Sequence, residues 1–109
     1  MLFVSAKRVE VRIEEYLARL EILAATITDV SLKLPLSNAL VGPSPELAEL
    51  SGRCGEVHRL LNSALDEMFA KRVSPRQLAA RLPNIDQEVT QLETLTQAIR
   101  QSILASRAA

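Results

Sequence analysis

The chain has 109 residues, 48% of them apolar, and its 13 basic residues balance 13 acidic ones. That length allows one domain with one core, and the apolar content excludes a disordered chain. The neutral balance excludes a global field that would recruit nucleic acid or an anionic membrane.

Leu, Ala, Ile and Val supply most of the apolar content, while only Phe3, Tyr16 and Phe69 are aromatic and glycines number three. Sheets draw on aromatic and β-branched residues and need frequent turn signals, which are missing here, so the class is all-α. The single cysteine, Cys54, excludes an internal disulfide and points to a reducing, cytoplasmic setting. Met1-Leu2-Phe3-Val4 is too short for a secretory leader, and no stretch approaches the roughly 18 apolar residues of a membrane span. Neither cleavage nor membrane insertion is expected.

The first helix is predicted over about 5–33. Leu2, Ala6, Val9, Ile13, Tyr16, Leu20, Leu23, Ile27, Val30 and Leu34 recur in alternating steps of four and three, the heptad seam of a helix packed along its length on another. Ser5 suits the N-cap, and Pro35 pushes its predecessor out of the α region and ends the element. About 28 residues make a rod of roughly 42 Å, against a radius of gyration of about 13 Å for a compact chain of this size. An elongated molecule follows. Residues 34–44 then form a loop with Leu34, Leu36, Leu40 and Val41, an apolar composition for a connection.

Ser44-Pro45-Glu46 starts a second helix over about 45–72: a capping serine, proline at the first helical position, and an acid at the positive end of the dipole. Its seam is Leu47, Leu50, Cys54, Val57, Leu61, Ala64 and Met68. Gly52 and Gly55 lie inside it at a cost of about 1 kcal/mol each relative to alanine, and two such small residues suit the close approach of a neighbouring helix or a local kink. Ser74-Pro75 repeats the start signal for a short helix over about 75–82, which Pro83-Asn84 breaks. A last helix follows over about 85–106, with Ile85, Val89, Leu92, Ile99 and Ile103 inward and Leu95 widening the stripe. The expected architecture is an elongated antiparallel bundle of three long helices and one short one, with coiled-coil-like heptad packing.

Few constellations carry chemistry. Cys54 and His58 share a helix face and could form a nucleophile or half a zinc site, but each is the only residue of its type, so a core cysteine flanked by histidine is expected. Glu14-Glu15 and Asp66-Glu67 lie off the apolar seam, and Glu56 has the wrong spacing to His58 for a di-iron bundle. Gly52-Arg-Cys-Gly55 lacks the lysine and hydroxyl of a phosphate loop. No catalytic residue, metal or cofactor is expected, and the chain is read as a non-enzyme.

Residues 74–92, Ser-Pro-Arg-Gln-Leu-Ala-Ala-Arg-Leu-Pro-Asn-Ile-Asp-Gln-Glu-Val-Thr-Gln-Leu, resemble a helix-turn-helix, with Leu78, Ala79 and Leu82 on a first helix and Val89 and Leu92 on a second. The resemblance implies a DNA-binding regulator whose Lys71, Arg72, Arg76 and Arg81 contact the backbone. Pro83-Asn84 stands where that family usually has glycine and then an apolar residue. Asp86-Gln87-Glu88 would also aim acids at phosphates.

The preferred reading comes from Ile22–Leu32, where Asp29 is the only charge. Leu23, Ile27 and Val30 lie on the seam while Ile22, Ala25 and Leu32 lie off it. A helix exposed on one side needs an apolar stripe of only about 100°, and this one is apolar nearly all round. Its far side is covered by the following loop or by another helix. The expected function is a protein–protein interaction module (adaptor, small helical chaperone or assembly subunit) that binds a partner or its own copy. Its candidate contacts are Ile22, Ala25, Ile27, Leu32, Leu36, Leu40 and Val41.

Overall fold

The structure, a computed structural model, describes the backbone of residues 5–32 and 45–108 and the side chains of these apart from 103 and 106–108. Three helices pack on one another: α1 (Ala6–Leu32), α2 (Pro45–Phe69) and α3 (Pro75–Ala108). No strand occurs among the described residues. The bundle measures 57 × 23 × 16 Å with a radius of gyration of 17.2 Å, so the elongation expected from the helix lengths is present.

The Ser5 hydroxyl caps α1, accepting the Arg8 amide at 3.2 Å. All seven seam residues from Val9 to Val30 are buried. In α2, Leu47, Leu50, Cys54, Leu61 and Met68 are buried, and Val57 and Ala64 pack half-buried against them. The helix stops at Phe69, short of the expected Arg72. Lys71 sits in the left-handed region at φ 62, the Arg72 amide donates to the Glu67 carbonyl at 2.9 Å, and the Lys71 amide donates to Met68 at 3.0 Å. This is the glycine-type helix stop built with a lysine, at a cost of about 1–2 kcal/mol for the Cβ.

α3 opens on a reciprocal cap. The Gln77 amide donates to the Ser74 hydroxyl at 3.1 Å, and the Ser74 amide donates to the Gln77 side-chain oxygen at 3.0 Å. The expected break at Pro83-Asn84 is absent: the helices anticipated over 75–82 and 85–106 are one continuous helix. Pro83 removes one backbone donor and crowds the carbonyl one turn earlier, a cost of about 3 kcal/mol. Burial on both sides of it outweighs that cost, because Leu78 and Leu82 before it and Val89 and Leu92 after it all reach the core, while Pro83 itself is exposed. Leu95 is exposed instead of widening the stripe. Thr96 takes the core position, its hydroxyl donating to the Leu92 carbonyl at 2.8 Å.

A polar cluster sets α1 against α3. The Tyr16 hydroxyl donates to Asp86 at 3.2 Å, and Arg19 reaches Glu93 through Nε at 3.2 Å and Thr90 through Nη2 at 3.3 Å. The Arg19 guanidinium also lies over the Tyr16 ring, 5.6 Å from its centre. Later residues of α1 meet later residues of α3, so these helices run in the same direction. The turn at 70–74 sends α3 back along α2, which makes the bundle up-down-up. No helix among the described residues is long and apolar enough to cross a membrane.

Candidate functional site

Among the described residues, the helix pair α2–α3 leaves a groove of about 540 Å³, lined by residues of these two helices and none of α1. Its floor is the buried pair Leu61 and Leu78, and its walls carry Val57, Leu60, Ala64 and Ile85. Leu60 is 52% exposed, although it stands beside this apolar floor. Arg53 and Glu88 bridge one end of the groove at 2.9 Å. Arg81 lies on the α3 wall and Glu56 on the α2 wall. A concave apolar channel between two helices with a few charges on its rim suits apolar side chains presented in a row.

A second apolar surface lies on α1. Ile22 is 68% exposed, Leu32 is 80% exposed, and Ala25 is exposed between them. Val11 and Ala18 extend the row toward the helix start. These positions trail the buried seam by two residues, about 200° around the helix, and share that opposite side with Glu15 and Asp29. Ile27 is corrected: it is 4% exposed and belongs to the core, so it cannot meet a partner. Its seam position, in step with Leu23 and Val30, explains the burial. Leu36, Leu40 and Val41 lie outside the described residues.

Cys54 and His58 take different partners. The Cys54 thiol is buried and donates to the Leu20 carbonyl at 3.3 Å, and burial pushes its pKa up, away from a reactive thiolate. His58 Nδ1 meets the Asn62 amide at 3.2 Å, and its Nε2 lies 3.7 Å from Glu21. Glu14, Glu15, Asp66 and Glu67 are exposed. Among the described residues no group of three or more His, Cys, Asp or Glu is placed to hold a metal ion. Among the described residues no helix approaches Gly52 or Gly55, since a Cβ on either would meet nothing within 4 Å.

Lys71, Arg72, Arg76 and Arg81 are all exposed, on the α2–α3 turn and the first part of α3. The helix-turn-helix resemblance needs a turn at residues 83–84, and a single helix runs through them. The groove itself escaped the sequence reading. Its one available signal was Leu60, an apolar residue next to the seam position Leu61, off the seam as Phe69 also is.

Against protein-family models, curated proteins and solved structures, the chain has no match.

Proposed function

We propose that the chain is a non-enzymatic protein–protein interaction module whose α2–α3 groove receives an amphipathic helix. The observation that carries this reading is the groove: about 540 Å³ above a buried Leu61–Leu78 floor, with Leu60 half out of it. A helix presenting apolar side chains one turn apart would fill such a channel, at spacings of three or four residues. Arg81 and Glu56 on opposite walls would select its direction through flanking charges of both signs. The outer row of α1, with Ile22, Ala25 and Leu32, supplies a second contact surface for a partner or a copy. A lone buried thiol suits a reducing cytoplasm.

The test is affinity purification of the tagged wild type and of Leu60→Arg from the native host, after nuclease treatment. The reading expects a stoichiometric associate, either another protein or the untagged chain, that is lost with Leu60→Arg while the helical circular-dichroism signal is kept. Recovery of the same associate with both chains, or of no associate with either, would contradict it.

A further inference from the structure

The 13 basic and 13 acidic residues are unevenly placed along the bundle. Tyr16 meets Asp86 and His58 lies by Glu21, so the start of α1, the end of α2 and the start of α3 share one end. Residues 5–12 and 66–82 at that end carry seven basic and three acidic side chains. Residues 13–26, 53–65 and 83–96 in the middle carry three basic and seven acidic ones. The residues outside the described ones hold no aspartate or glutamate, so they cannot neutralise the basic end.

The cations of this end gather on the side where α1 meets α3. Arg8 stands three turns before Arg19 and points the same way, toward α3. Arg12 lies between them and donates to the Tyr16 hydroxyl at 3.1 Å. Arg76 stands about four turns before Thr90, a partner of Arg19, on the flank of α3 beside α1. Lys71 and Arg72 sit on the turn before α3. Arg19 is neutralised by Glu93 and Asp86. Nearer the end α3 offers no such acid, because residues 71–85 include four basic side chains and none acidic. Among the described residues Arg8, Lys71, Arg72 and Arg76 have no ion-pair partner. The acids of this end lie elsewhere. Glu10 pairs with Lys7. Glu67 is two turns after Leu60 on the groove side, and Asp66, two residues from buried Met68, points outward from α2. Glu15, about 10 Å along α1 from Arg8, borders the basic face.

What this face can hold follows from what it lacks. An anionic membrane is gripped by apolar and aromatic side chains that enter it beside the cations, and a single strand by aromatic rings on which bases stack. The exposed aromatic of this end, Phe69, is three turns from His58 and shares its side, away from α3. A duplex backbone needs only cations for its phosphates. Arg8 and Arg76 project from neighbouring helices whose axes lie about 8–10 Å apart. They can therefore reach both phosphate walls of a B-form major groove, about 12 Å wide. A rod laid across this end also stays clear of the acidic middle, which a broad flat surface along the same side would meet.

We propose that the basic end of the α1–α3 face binds the phosphate backbone of duplex DNA without reading its sequence. The surface is separate from the α2–α3 groove, so a partner helix and a duplex can be held at once.

Fluorescence anisotropy with labelled DNA duplexes of two unrelated sequences tests this on the full chain. The variants are Arg8→Gln/Arg76→Gln and, with the same change in charge, Arg59→Gln/Arg100→Gln. All four residues are exposed, so the helical signal is expected to stay at wild type. The wild type should bind both duplexes equally, and log K should fall with log salt at a slope of about −3 to −4, or three to four phosphates. Arg8→Gln/Arg76→Gln should weaken binding at least tenfold and flatten the slope by about 1.8, while the control pair stays within about twofold of wild type. No binding at millimolar protein in low salt overturns the proposal, as does equal weakening by the two variants. Binding of phosphatidylserine vesicles or of polyglutamate in preference to duplex also overturns it, and assigns the face to a membrane or to an acidic protein segment.

Discussion

Arg19 of α1 and Glu93 of α3, 74 positions apart in the chain, form a two-pronged ion pair, with Arg19 Nε at 3.2 Å from Glu93 Oε2. Asp86, the Thr90 hydroxyl and the Tyr16 ring also surround the guanidinium. Hydrogen bonding to Glu93 raises the Arg19 pKa further above its ordinary value, so the guanidinium stays charged at neutral pH. The pair is about a third exposed on each side, so solvent screens it. A double-mutant cycle with Arg19→Ala and Glu93→Ala is expected to give a coupling of about 0.5–1 kcal/mol in urea unfolding. A coupling indistinguishable from zero would mean that the pair does not fix α1 against α3.

Ile22 and Ile27 look alike in sequence and separate cleanly in the structure, one 68% and the other 4% exposed. Ile27→Asp places a carboxylate in the core and should cost more than about 4 kcal/mol, enough to unfold most of a domain this small. Ile22→Asp should move the thermal midpoint by only a few degrees while reducing association. Similar melting of the two variants would refute the placement of the core.

Gly52 and Gly55 are helical, exposed and clear of every neighbour among the described residues. Alanine at either position should stabilise the protein by about 0.5–1 kcal/mol through propensity alone, read as a higher urea midpoint with an unchanged slope. A loss of stability would indicate that something approaches this face.

The Cys54 thiol has an ordinary value of 9.0 and is raised by burial. Below pH 9.0 both the folded and the unfolded chain hold this proton, and its contribution to stability is constant. Above that pH the unfolded chain loses the proton while the folded chain keeps it, so stability falls as pH rises toward the folded value. Cys54→Ala should remove this part of the alkaline slope, measured by urea unfolding across that range. In native protein at neutral pH the thiol should resist thiol reagents until the chain opens.

Much of this molecule is legible from residue spacing. The α1 seam is buried from Val9 to Val30, where its steps of four and three never miss, while Ala6 at its start is exposed and Leu2 and Leu34 lie outside the described residues, and Ser74 and Gln77 announce their reciprocal cap three residues apart. Pro83 misleads because its local rule is right about the cost and silent about what opposes it. The leucines and valine on either side are held by tertiary contacts that no window around residue 83 contains. Leu95 is exposed and its neighbour Thr96 buried because the register of a helix against two partners is decided by all three. The groove is less legible still. It exists because α1 takes one side of the α2–α3 pair and leaves the other, a choice made between helices far apart in the chain.

The most direct test of the central claim, that the α2–α3 groove receives an amphipathic helix, is photo-crosslinking in the native host from a benzoylphenylalanine placed at Leu60, with exposed Gln97 as the control position. The account predicts a crosslinked associate from position 60 and none from position 97. The same adduct from both positions, or no adduct from position 60, would contradict it.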